Sequence, residues 1–137
     1  MKKLLLLLFS ILISFNSFGE IVLYCQDELG TGFSKSESSS KWHVTEFKLY
    51  RSTVKFNDDY SLVTILTEGD RIQFACNQFL MDDKVICNND VGFSYRYDKL
   101  NKRFTFIKAH LMGYIDDPLL SSVHWFDSMF AGTCETF

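Results

Sequence analysis

Four cysteines, three histidines and a set of paired acids carry most of the chemistry this chain can offer. Cys25, Cys76, Cys87 and Cys134 could ligate a metal as thiolates or pair as disulfides. His43, His110 and His124 share no ligand spacing such as His-x-x-x-His and fall on separate stretches. Asp58-Asp59, Asp82-Asp83 and Asp116-Asp117 have the charge for calcium binding or acid–base work, but none follows a calcium-loop consensus. Each pair sits where the pattern calls for a turn, and Asp and Asn stabilise turns through their own side-chain hydrogen bonds. No Gly-x-Ser-x-Gly elbow or glycine-rich phosphate loop is present. His124 with nearby acids such as Asp127 is the one compact pair from which a small hydrolase could be built, since triads do not respect sequence order. The pattern assigns no catalytic residue, metal or cofactor.

The redox compartment decides how the cysteines are read. Met1-Lys2-Lys3 precedes an apolar run over 4–8 that resumes over 11–13, and Ser17 and Gly19 are the small residues of a cleavage site. This predicts a signal peptide over 1–19 and a single domain over 20–137. The run is shorter than the roughly 20 residues of a span, and Cys25 follows the bulky Tyr24, unlike a lipid-attachment cysteine. A periplasmic or secreted protein with no membrane span after cleavage is therefore expected. There the four cysteines form two disulfides rather than a zinc site, with three connectivities open. Of 14 Lys and Arg, cleavage removes Lys2 and Lys3; against 17 Asp and Glu the charge becomes about −5. A weakly acidic chain without a basic run argues against nucleic acid or anionic lipid as partner.

The elements that must position these residues centre on 71–108. Arg71-Ile72-Gln73-Phe74-Ala75-Cys76 and Lys84-Val85-Ile86-Cys87 flank the tip Met81-Asp82-Asp83, and a turn centred there places Cys76 opposite Cys87, leaving Cys25 to close on Cys134. Next, Phe93, Tyr95 and Tyr97 alternate with polar residues, 98–102 turns, and Phe104 and Phe106 alternate with Thr105. Period two over this length reads as half-buried strand. Partners across a hairpin share a face, so Tyr97 faces Phe104, Tyr95 faces Phe106, and Asp98 falls beside Arg103.

In chain order, 21–25 opens as an apolar strand that Gly30-Thr31-Gly32-Phe33 breaks, and the Ser-rich 34–41 reads as a surface loop. Trp42 restarts regular structure. Strands follow at Phe47 and Leu49, at Val54 and Phe56, and over 62–66, with turns near Arg51-Ser52, at Asn57-Asp58-Asp59 and at Glu68-Gly69-Asp70. Asp117-Pro118 could start a short helical turn near 118–126, ahead of a closing strand that carries Cys134. Turn signals every 8 to 12 residues predict a mainly β fold, a small antiparallel barrel or sandwich built of hairpins.

Ser40-Lys41-Trp42 resembles the Gly-x-Trp opening of lipocalin-like barrels, with Ser40 in place of the glycine, and this implies a barrel. The terminal Phe137 is shared with outer-membrane barrels, but Glu135 stands where those carry an aromatic residue. Trp42 and the cluster His124, Trp125 and Phe126 are the candidate binding residues, because aromatic side chains dominate contact surfaces when left exposed. The expected function is non-catalytic binding of a small apolar ligand or a protein partner by a monomer. The alternatives are the small hydrolase at His124 and a structural, envelope-associated subunit that pairs through an open strand edge.

Overall fold

The structure is a computed structural model that describes residues 19–35, 41–78, 83–109 and 126–136. Nine strands make it up: β1 (Ile21–Lys35), β2 (Trp42–Glu46), β3 (Arg51–Phe56), β4 (Leu62–Thr67), β5 (Asp70–Gln78), β6 (Lys84–Asn88), β7 (Phe93–Asp98), β8 (Arg103–Lys108) and β9 (Phe126–Thr136). All pairings are antiparallel. The strands β1 and β3 to β9 run up and down in order, and β9 returns to β1, so eight strands close a barrel and β2 adds a ninth beside β1. Closure decides the open choice between barrel and sandwich. It also removes the free edges an open sheet would expose along these eight strands.

Alternation explains the interior. Leu23, Cys25, Val54, Phe56, Val63, Ile65, Phe74, Val85, Cys87, Tyr95, Tyr97, Phe104 and Phe106 all point inward and are buried. The rings interlock: Tyr95 stacks on Phe104 at 5.6 Å, Phe74 meets Phe106 edge-on at 5.8 Å, and Phe56 packs on Tyr97 at 5.5 Å. Such aromatic pairs add about 0.5–1.5 kcal/mol each beyond their buried area. At one end Tyr60 packs 5.0 Å from Phe56 with the Lys99 ammonium 4.8 Å above its ring.

The hairpin registers follow the hydrophobic face. Cys76 pairs with Cys87, Tyr95 with Phe106, Tyr97 with Phe104 and Asp98 with Arg103. Both expected disulfides are present, Cys76–Cys87 and Cys25–Cys134, and all four sulfurs lie inside the barrel. The Asp98 carboxylate does not serve Arg103. It accepts hydrogen bonds from the Leu100 and Asn101 backbone N–H groups and from Asn101 Nδ2, each at 3.0 Å. Asp59 and Asn57 hold the β3–β4 turn in the same way, through the Ser61 and Leu62 N–H groups.

The opening third departs from expectation. β1 does not break at Gly30-Thr31-Gly32-Phe33 but runs on through Lys35, so Ser34 and Lys35 are strand rather than loop. Its glycines admit close neighbours: a Cβ on Gly32 would collide with the Asp127 carbonyl oxygen and the Ser128 Cα. No turn forms at Arg51-Ser52 either, because Arg51 pairs with Gln26 and Ser52 with Cys25. Phe47 and Leu49 are not a separate strand. The Asp27 N–H donates to the Tyr50 carbonyl at 3.0 Å, and the Phe47 N–H to the Gly30 carbonyl at 3.1 Å, so β2, residues 47–50 and β3 form one bent arm along β1. The Asp27 carboxylate also accepts the Tyr50 N–H there, at 3.0 Å. Opposite it, the β1–β9 register slips between Asp27 and Leu29 as a β-bulge, a local kink that turns side chains to the other face.

Of the helical turn near 118–126, residues 118–125 lie outside the described residues. Phe126 is already the first residue of β9, opposite Ser34, so there the chain is strand.

Candidate functional site

Beyond the bulge, β1, β2 and the start of β9 continue past the barrel as a three-stranded extension in the order β2-β1-β9. Trp42 pairs with Lys35 and Phe126 with Ser34, so two of the expected binding residues flank the end of β1 from opposite sides. Trp42 is half-buried. His124 and Trp125 lie outside the described residues, as do His110 and the acids Asp116 and Asp117. His43 is exposed on β2, with Nε2 3.1 Å from Ser34 Oγ, and the same hydroxyl lies 2.6 Å from Thr45 Oγ1. This is a cross-strand polar contact on one face of the extension.

The other face carries exposed apolar side chains beside the exposed Thr31 and Glu46. Val44 keeps 71% of its surface exposed, Leu29 69%, Phe33 49% and Met129 46%. Phe33 stands directly opposite Val44, while Met129 lies opposite Thr31 and Ile107 and Leu29 opposite Ala131, so the four form a stripe on one face that Thr31, Glu46 and Asp127 share. Elsewhere the outward positions of the wall are mainly polar: Thr53 and Lys55 on β3, Thr64 on β4, Arg71, Gln73 and Asn77 on β5. Tyr24, Leu49, Leu62, Val91 and Leu100 are scattered exceptions. Sequence reasoning missed this stripe because the Gly-rich stretch looked like a break. The signal was there in Leu29 and Phe33, large apolar residues on either side of glycines that proved to be strand.

Inside the upper mouth a second group gathers. Asp27 and Lys108 point inward with Tyr50, Ser52 and Thr67 around a space of about 30 Å³, with Tyr95 as its floor. That volume is about one water molecule's share of liquid. The interior therefore leaves no room there for an apolar ligand. Burial raises the Asp27 carboxyl above its usual range, against the Tyr50 N–H and Lys108, which favour the charged form. Burial likewise lowers the Lys108 amine, against Asp70 and Asp27. The Lys108 ammonium is 5.1 Å from the Phe106 ring centre and 5.6 Å from that of Phe130. This arrangement holds one cation over aromatic faces at the barrel rim, worth about 0.5–2 kcal/mol per contact depending on desolvation. No group of three His, Cys, Asp or Glu side chains among the described residues could hold a metal ion.

The outer wall carries depressions, of which two bear on function. One, of about 780 Å³ across β9, β1, β3 and β4, is lined with Glu28, Glu68, Glu135 and Arg51 among polar neighbours. The other, of about 520 Å³ across β6 to β9 and the bulge, has Ile86, Ala131 and Leu29 among its lining with Lys84, Arg96 and Arg103.

Comparison with protein-family models, with curated proteins and with solved structures returns no match.

Proposed function

We propose that this protein is an exported, non-catalytic binding module that meets a protein partner on the outer face of the β2-β1-β9 extension. The single observation that carries the reading is the stripe of Val44, Phe33, Met129 and Leu29, large apolar side chains about half or more exposed on a wall that is otherwise mainly polar. Exposed apolar stripes of this kind on a soluble domain mark contact surfaces. A filled barrel interior favours the surface over an enclosed ligand. Export rests on the leader-like residues 1–19 and is supported by two disulfides, which persist in oxidising compartments.

A photo-crosslinking side chain placed at Val44, and separately at Gln73 on the polar wall, tests this in the producing cell. We expect a discrete protein adduct from position 44, absent from position 73 and lost when Met129→Asp is added. Equal labelling at both positions, or none at position 44, would remove the basis of the proposal.

A further inference from the structure

The depression across β6 to β9 is a different feature from the apolar stripe, although Leu29 borders both. Its floor follows from register. Ile86, Arg96, Thr105, Ala131 and Leu29 form one outward row across five strands, each residue directly opposite the next. Thr105 and Ala131 are the small members of that row, so the wall dips between Ile86 on one side and Leu29 on the other. The adjoining row supplies Lys84, Asp98, Arg103 and Thr133. The space of about 520 Å³ falls in the range of small-molecule sites, roughly 300–1,000 Å³.

Charge then selects the ligand. The side chains of Arg96 and Arg103, both exposed, make no hydrogen bond or ion pair among the described residues. Two carboxylates also line the depression, but each is already an acceptor. Asp98 serves its own turn, and Glu28 Oε1 takes the Thr133 hydroxyl at 2.9 Å. The Asn101 hydrogen bonds chiefly lower the Asp98 carboxyl, and Lys84 adds to this through space. Two unpaired guanidinium groups beside an apolar floor, in a chain with more acids than bases, are disposed for an anion with an apolar body. Arginine matches the planar geometry of a carboxylate with two parallel hydrogen bonds.

We propose that this depression binds a small amphiphilic carboxylate, its head between Arg96 and Arg103 and its hydrocarbon over Ala131 and Ile86. The test follows backbone amide signals of Thr105 and Ala131 in the oxidised protein while octanoate, octanol or octyltrimethylammonium is added. Octanoate is expected to shift both signals saturably, with octanol at least tenfold weaker and the ammonium without effect. Arg96→Gln combined with Arg103→Gln should weaken octanoate at least tenfold and leave octanol unchanged, with signal dispersion confirming the fold. Val44→Asp should leave octanoate binding intact, which separates this site from the protein-binding stripe. Equal affinity for octanoate and octanol, a double variant that binds like the parent, or the absence of saturation at the octanoate solubility limit would each overturn the site.

Discussion

Tyr95 shows at the level of one side chain what it costs to fill a barrel with aromatic residues. Its ring stacks on Phe104, while its hydroxyl lies 3.8 and 3.9 Å from the sulfurs of Cys25 and Cys134. Sulfur accepts hydrogen bonds weakly. Burial, with Tyr97 and Asp27 nearby, holds the Tyr95 hydroxyl well above its ordinary range, and burial with Tyr60 and Asp98 pushes Tyr97 up to about 12. In the unfolded chain both would ionise near 10. A folded pKa above the unfolded one means stability that is complete below pH 10 and lost as pH climbs from there toward about 12. Urea denaturation at pH 9 and pH 11.5 should therefore show a falling midpoint, and Tyr97→Phe should flatten part of that fall. An unchanged pH slope in the variant would mean that Tyr97 titrates as freely folded as unfolded. At this scale the sequence was readable wherever period two held, as in Tyr95, Tyr97, Phe104 and Phe106. It was silent on Asp27 and Lys108, whose burial depends on strands brought together from distant parts of the chain.

Among the elements, the β1–β9 seam is the most tightly built. Gly132 lies where a Cβ would strike the Gln26 carbonyl oxygen, and Gly32 where it would strike that of Asp127. Because the obstacles are backbone, neither can rotate away, and the strands must separate. Gly132→Ala and Gly32→Ala are each expected to cost about 1–3 kcal/mol or more in chemical denaturation. Gly69 has open space but φ +99° in the β4–β5 turn, so Gly69→Ala should cost about 1 kcal/mol through backbone strain alone. Parental midpoints for both seam variants would show that the strands part more easily than their packing implies. The seam also explains why β1 was misread from sequence. Glycine signals a turn unless another backbone lies against it, and that neighbour is more than 90 residues away in the chain. The hairpin 93–108 needed no such knowledge, because its partners are close in sequence and share one face. The same holds for Glu68-Gly69, whose positive φ angles suit the tight turn the sequence implied there.

For the whole molecule, the two disulfides do unequal work. Cys76–Cys87 spans a separation of 11 residues and Cys25–Cys134 one of 109. Limits on the unfolded chain make these worth about 3 and 5 kcal/mol, the longer loop losing more freedom. Cys25→Ala with Cys134→Ala should thus lower the denaturation midpoint more than Cys76→Ala with Cys87→Ala, and the reverse order would show that chain entropy does not govern their contribution. Pairing was legible because one hairpin is local and the remaining two cysteines had only each other. The sequence left barrel and sandwich as alternatives, because the choice rests on the contact between the first and last strands. Placing the sulfurs inside that closed wall has a consequence for biogenesis. An oxidising enzyme cannot reach a thiol within the finished barrel, so both bonds must be made while the sheet is still open. Cys76 and Cys87 can meet as soon as their hairpin has formed. Cys25 must wait for nearly the entire polypeptide, which makes its oxidation a late event that closes the barrel and commits the newborn chain to its mature form.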